Sequence, residues 1–353
     1  MLVREPRRKY TRIEPLEDRW GVQVGRTMNR FELLSESEKI ARYTRLARKA
    51  VSGYGLESAR VTYLGGSANV TFEVATGDVS RHYALRIGHP EQDSNGLQRE
   101  ILWLTALCRD TDLDVPEPIL TMDGALVRRV SIAGVPGFRS CVLFRWVGGE
   151  SLDRELAPGH LRSVGRLLAE LHSHAEAFRW PEEIMPPRRN ATLMSQILDE
   201  RLLRTHYSVE QIEVFREAIE LIAVTMSVLR DGPNVAGVIH GGLERRNVLF
   251  HEEEARAIGF KTCRWGYYAY DLAVVRSWIE RREAGEELMS ALHEGYRSIR
   301  DLPEEVERSV PAFGALRAID RVQSMLSEAA CGVGSTRDLE REMGNVRRVV
   351  DAA

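Results

Sequence analysis

Val238-Ile-His-Gly-Gly-Leu-Glu-Arg-Arg-Asn-Val-Leu-Phe250, then a turn over His251–Arg256, then Ala257-Ile-Gly-Phe260: this is the one strand-like interruption in the helical second half of the chain. Two short apolar runs bracket a polar loop, which predicts strand, loop, strand. The stretch from Gly266 leads into Tyr270-Asp-Leu-Ala273, where helical spacing resumes. On either side, apolar residues recur at helical intervals, as in Leu161, Val164, Leu167, Leu168 and Leu171. The runs Ile212–Leu229, Leu272–Ile279, Leu288–Tyr296 and Ala315–Leu326 continue the series.

The first half has a different period. Ser35, with Glu38 three residues on, predicts the capped start of an amphipathic helix through Ile40, Tyr43, Leu46, Ala47 and Ala50, ending at Gly53 or Gly55. Val61–Leu64, Val70–Val74 and Tyr83–Ile87 alternate in the strand manner between turns at Gly65-Gly66 and Gly77-Asp78, which predicts an antiparallel meander. A helix is expected from Gly96 to Leu107, then Val115-Pro-Glu-Pro, then strands at Ala125–Val130 and Ser140–Val147. The expectation is an α+β, bilobal architecture. Its parts are a basic leader over 1–30, a β-rich lobe over 31–147 and a helical lobe over 148–353, joined near Trp146–Ser151.

Composition narrows the function classes. The chain has 353 residues, 43% hydrophobic and 29% charged, enough for a folded core. A net charge of -3 offers no global field for nucleic acid or anionic lipid, so any anion site must be local. Cys108, Cys141, Cys263 and Cys331 form no CxxC pair and read as reduced thiols. The longest nearly apolar stretch, Leu221–Leu229, falls short of the ~20 residues a membrane helix needs. A soluble, cytoplasmic protein is expected. Lysine is confined to Lys9, Lys39, Lys49 and Lys261.

The central loop resembles that of the aminoglycoside phosphotransferase and choline kinase-like family, relatives of protein kinases, and within it the homoserine-kinase-like branch. The family loop runs His-Gly-Asp-Leu-His-x-x-Asn-[Val/Ile]-Leu, its metal strand Ile-Asp-Phe, and the next helix begins Tyr-Asp-Leu-Ala. Here His240, Gly241, Leu243, Asn247, Val248, Leu249, Ile258, Phe260 and Tyr270–Ala273 fit in order and spacing. The strand Tyr83-Ala-Leu-Arg86-Ile, Glu100, Val115-Pro-Glu-Pro and the Leu168-Ala-Glu-Leu-His172 helix agree as well, so the resemblance covers about residues 31 to 330. It implies a protein-kinase-like fold with the catalytic-loop remnant at 238–260.

The resemblance also implies what is missing. Phosphoryl transfer in this family needs one Asp to position and deprotonate the acceptor hydroxyl and another to hold magnesium beside the loop Asn. Their places are Gly242 and Gly259. Asn247 is kept, but one amide oxygen cannot hold a hard divalent cation alone. Glu244 is the nearest carboxylate that could substitute, while Lys261 and Thr262 make the vacated metal position locally positive. If the deficit lies only at Gly242 and Gly259, returning Asp to both should restore magnesium binding.

For a nucleotide, Gly65, Gly66 and Ser67 lie between two strands, where their backbone N–H groups could cover phosphates, and the resemblance implies Arg86 paired with Glu100. Phe144, Trp146 and Val147 complete the set in the connecting strand. An ordinary hairpin turn and a plain ion pair are the competing readings of the first two groups. His240 is expected to be structural and Asp271 to be an N-cap and loop organiser. His172 and His174 lack a matching carboxylate cluster for a metal. The Trp265–Tyr270 aromatic run could stack a ligand or pack a core.

The resulting expectation is a catalytically impaired pseudokinase that keeps a ligand or nucleotide pocket, with ATP as candidate ligand and magnesium weak or absent. Two alternatives stay open: an active ATP-dependent kinase for a small hydroxylated molecule, and a protein-interaction scaffold. A small molecule or nucleotide is the expected partner, without nucleic acid or membrane; the sequence names no protein partner.

Overall fold

The computed structural model describes residues 31, 33–66, 69–78, 81–90, 93–151, 156–185, 200–229, 232–279, 282, 284–329 and 336–352. The 1–30 leader and Ser67 lie outside the described residues. Two compact units divide between Val147 and Gly148.

The first unit opens with α1 (Glu36–Val51), whose N-terminus carries the capping box of Ser35 and Glu38. Its last turn runs into a short 3-10 turn ended by Gly55 at φ 67°. The strands β1 (Arg60–Gly65), β2 (Val70–Ala75) and β3 (His82–Ile87) form the expected antiparallel meander. After α2 (Ser94–Asp110) come β4 (Pro118–Ile119), β5 (Arg128–Val130) and β6 (Arg139–Arg145). The sheet order is β1-β2-β3-β6-β4, with β5 also on β6. Leu46, Ala47, Ala50 and Val51 of α1 bury against Phe72, Val74, Leu85 and Leu143, and this apolar contact is what fixes the helix on the sheet.

The second unit is mainly helical. It contains β7 (Glu150–Ser151), α3 (Pro158–Ala177), α4 (Glu200–Leu203) and α5 (Val209–Val228). Then come β8 (Ala236–Ile239), β9 (Val248–His251), β10 (Glu254–Ala257) and β11 (Arg264–Tyr267). The chain ends with α6 (Tyr268–Ile279), α7 (Gly285–Arg297), α8 (Glu304–Ala329) and α9 (Thr336–Val350). β7, β9 and β10 make one antiparallel sheet, and β8 pairs antiparallel with β11. Helices α3 and α7 approach backbone to backbone: a Cβ on Gly165 would meet Leu292 O at 2.1 Å, and one on Gly295 would meet Arg162 O at 2.0 Å.

Several sequence expectations need correction. The interruption is longer than Val238–Phe260, because Arg264–Tyr267 forms a further strand on β8. β10 stops at Ala257, and Ile258–Gly259 turn into a 3-10 segment at Phe260–Thr262. The strand expected over Ala125–Val130 shrinks to Arg128–Val130.

Candidate active site

The loop between β8 and β9 is held through its backbone. Asp271 lies in the first turn of α6, with Tyr268 to Tyr270 ahead of it, so it is not the N-cap. Its two carboxylate oxygens instead accept the amides of His240 and Gly241, each at 2.8 Å. His172 Nε2 approaches Asp271 Oδ2 at 3.2 Å, and His172 Nδ1 lies 2.9 Å from the Tyr296 hydroxyl. With Nε2–H donating to the carboxylate, Nδ1 of a neutral ring accepts from the tyrosine. Burial holds the His172 imidazole below its ordinary pKa, against the pull of Asp271. Burial raises the Asp271 carboxyl, but His172, His240 and the Gly241 amide outweigh it and keep the group below its usual range.

His240 is fully buried. Its Nε2 lies 3.1 Å from Ile258 O, and its ring packs 4.6 Å from that of Phe260. Gly242 O accepts Asn247 Nδ2 at 2.7 Å and the Glu244 amide at 2.7 Å. The Ile258 amide donates to Asn247 O at 2.9 Å, so Asn247 joins the loop to the end of β10. Gly242, Asn247 and Gly259 thus come together, and Thr262 with them: its hydroxyl donates to His240 O at 3.1 Å.

The space that missing side chains would need is taken. A Cβ on Gly242 would lie 2.6 Å from Thr262 Oγ1. A Cβ on Gly259 would lie 2.8 Å from Asn247 Oδ1, and Gly259 has φ 80°, the left-handed region that favours glycine. Glu244 is not a free carboxylate. Its Oε1 meets Arg321 Nη1 at 2.7 Å and Arg317 Nη2 at 3.5 Å, and its Oε2 meets Arg246 Nη2 at 2.8 Å.

These residues do not fit magnesium. The loop offers one amide oxygen, Glu244 is engaged by arginines, and no group of three or more His, Cys, Asp or Glu among the described residues could hold a metal ion. The three tyrosines of the aromatic run after the loop are core, while Trp265 is half-buried. Tyr268 stacks on His172 at 4.1 Å, Tyr267 packs 5.1 Å from Phe313, and the Tyr270 hydroxyl donates to Asp320 at 3.0 Å.

In the first unit, Arg86 and Glu100 form a bidentate pair with both contacts at 2.6 Å, and Glu100 is only 2% exposed. The Arg86 guanidinium lies 5.1 Å from the Phe144 ring centre. Gly65 pairs with Thr71 and Thr71 with Arg86, one row across β1, β2 and β3. At Gly66, with φ 112°, a Cβ would overlap Asn69 O at 1.8 Å. Trp146 stacks on His82 at 4.2 Å, and Val147 is buried.

Sequence reading passed over Arg317 and Arg321, although their spacing of four on a helical stripe places both on one face. It noted Thr262 without foreseeing that its hydroxyl fills the room beside Gly242.

An antiparallel-sheet unit followed by a helical unit whose strand–loop–strand carries His240 and Asn247 is a bilobal, protein-kinase-like fold. The model of the phosphotransferase enzyme family APH matches residues 61–307, and the chain belongs to that family. Among solved structures it is similar to a microcompartment-associated aminopropanol kinase, at 24% identity over 87% of this chain and 95% of that one, with a TM-score of 0.69. An amicoumacin kinase in complex with AMP-PNP, Ca2+ and Ami is similar at 19% identity over 90% and 97% of the two chains, with a TM-score of 0.71. An AMP-bound spectinomycin phosphotransferase follows at 11% identity over 88% and 98%, with a TM-score of 0.62. No curated protein matches the chain significantly.

Proposed function

We propose that this phosphotransferase-family chain binds a small molecule or nucleotide without catalysing magnesium-dependent phosphoryl transfer. The observation that carries the reading is Gly259: its left-handed backbone and the 2.8 Å approach of Asn247 Oδ1 leave no place for the carboxylate a metal would need. Glu244, held by Arg246, Arg317 and Arg321, is not poised as a replacement. Losing both an acceptor base and metal stabilisation of phosphoryl charge removes effects of ~10²- to 10⁴-fold and several kcal/mol respectively.

ATP is the candidate nucleotide, since the amicoumacin kinase was solved with AMP-PNP and the spectinomycin phosphotransferase with AMP. The bidentate Arg86–Glu100 pair favours a second reading, an active kinase for a small hydroxylated molecule, because that pair would be in place to orient phosphates. Thermal shift and calorimetric titration with ATP, with and without magnesium, separate the two. Binding indifferent to magnesium supports the first; sharp tightening by magnesium, with phosphorylation of a small-molecule panel, would replace it with the second.

A further inference from the structure

Glu244 lies two residues beyond Gly242 in a loop where an acceptor would be handled, yet its carboxylate is directed at arginines of α8. Arg317 and Arg321, one turn apart on that helix, meet the same oxygen, and Arg246 holds the other. Charge is in surplus here: these guanidinium groups share Glu244 and, through Arg321 Nε at 2.9 Å, the buried Glu342 of α9.

Arg317 is the informative member. Its side chain is only 12% exposed, and its one hydrogen bond or ion pair among the described residues is the 3.5 Å approach to Glu244. A guanidinium carries five N–H donors in a planar fork that suits a carboxylate or phosphate face on, so one long contact uses little of it. The Arg317 nitrogens are not among the buried side-chain atoms left without a partner, so the donors that Glu244 does not use are open to solvent and to an incoming anion. Glu244 also belongs to the loop, and its side chain is 21% exposed against 3% for helix-borne Glu342, so it is the more accessible of the two acids.

We propose that Arg317 and Arg321 form the receptor for a carboxylate or phosphate group of this protein's small-molecule ligand, and that Glu244 occupies that receptor as an internal stand-in when the ligand is absent. This rests on reading the loop as a binding element and adds the charge of what it binds. The ligand class is an anionic small molecule, seated without a metal.

The test uses the full chain and its Glu244→Gln variant, titrated calorimetrically at low salt with inorganic phosphate and, separately, succinate. Removing the competing carboxylate should tighten at least one anion about tenfold, the factor equivalent to one charge-assisted hydrogen bond. Preference for phosphate assigns a phosphorylated ligand, and preference for succinate a carboxylate. Adding Arg317→Gln to Glu244→Gln should abolish the gain; should that double variant not fold, Arg317→Lys in the same background should still weaken it by losing the fork. The proposal is overturned if Glu244→Gln binds neither anion more tightly than the parent, or if the gain survives the change at Arg317. ATP titrations on the same samples keep the two readings apart, because magnesium-tightened ATP binding beside an intact anion gain would sink the metal-free reading alone.

Discussion

Oδ1 of Asn247 stands 2.8 Å from the point a Cβ would occupy on Gly259. The two residues are fitted to each other, so restoring a carboxylate at 259 changes the structure as well as the chemistry. Gly259→Asp must keep φ near 80° at a cost of ~1–2 kcal/mol, and must displace the Asn247 amide from Gly242 O. We expect Gly259→Asp, alone or with Gly242→Asp, to lower the urea midpoint and to gain no magnesium-dependent rise in Tm. A clear rise with magnesium would show that the loop can readjust around the new acid.

Position 242 is a milder case, because the three atoms nearest its Cβ point all belong to the Thr262 side chain. Gly242→Asp forces the Thr262 hydroxyl to rotate and give up His240 O, a loss of about 1 kcal/mol. In a Thr262→Ala background the same change should cost nothing further. Denaturant melts of the four proteins form a double-mutant cycle, and simple additivity would count against the contact.

Asp271→Ala leaves the His240 and Gly241 amides and the His172 ring without their acceptor in a fully buried place. The expected loss is about 3–5 kcal/mol, read by urea unfolding. The loop amides should also exchange with deuterium far faster than in the parent.

Acid should find the same assembly. His172 has a lowered pKa in the folded state, so below its ordinary 6.5 the unfolded chain binds more protons and stability falls with pH. Asp271, also lowered, contributes stability that is complete above its ordinary 3.8 and is lost as pH falls through the folded value. Stability should therefore decline from about pH 6.5 downward, with a further loss below the carboxylate range. His172→Gln should flatten the first part of that profile; an unchanged slope would mean that other groups govern it.

The Arg86–Glu100 pair gives a contrast between breaking and replacing. Glu100→Ala strands a guanidinium that is only 12% exposed and should cost about 3–5 kcal/mol. Arg86→Met with Glu100→Leu should recover most of that stability, since an apolar pair of similar volume avoids desolvating either charge. Failure of the double variant to recover would show that the pair is tied into further contacts.

Much of this was readable in the residues, for reasons that differ by element. The capping box at Ser35 and the alternating strands through Ile87 follow from local pattern, so their type was legible and their ends shifted by a residue or two. β11 was not, because Trp265-Gly-Tyr267 becomes a strand only by pairing with β8, which lies far away in sequence. Asp271, at the start of a helix, read as both N-cap and loop organiser; it is not the cap, but its carboxylate reaches thirty-one and thirty residues back to the loop amides of His240 and Gly241. At the site, it was the family resemblance that implied which carboxylates positions 242 and 259 lack. That Thr262 and Asn247 stand in the room beside Gly242 and Gly259 depends on backbone angles and side-chain positions that no spacing rule carries.

Asp271 grips main-chain N–H groups, which almost any residue can supply, rather than the side chains of the loop. The course of the chain through 240–242 is thereby insulated from what is displayed upon it. Randomising 244, 246, 261 and 262 together should yield mostly folded proteins under protease selection, whereas a library at 172, 271 and 296 should not. A framework of this kind can shed one chemistry and drift toward another binding task while its architecture stays put.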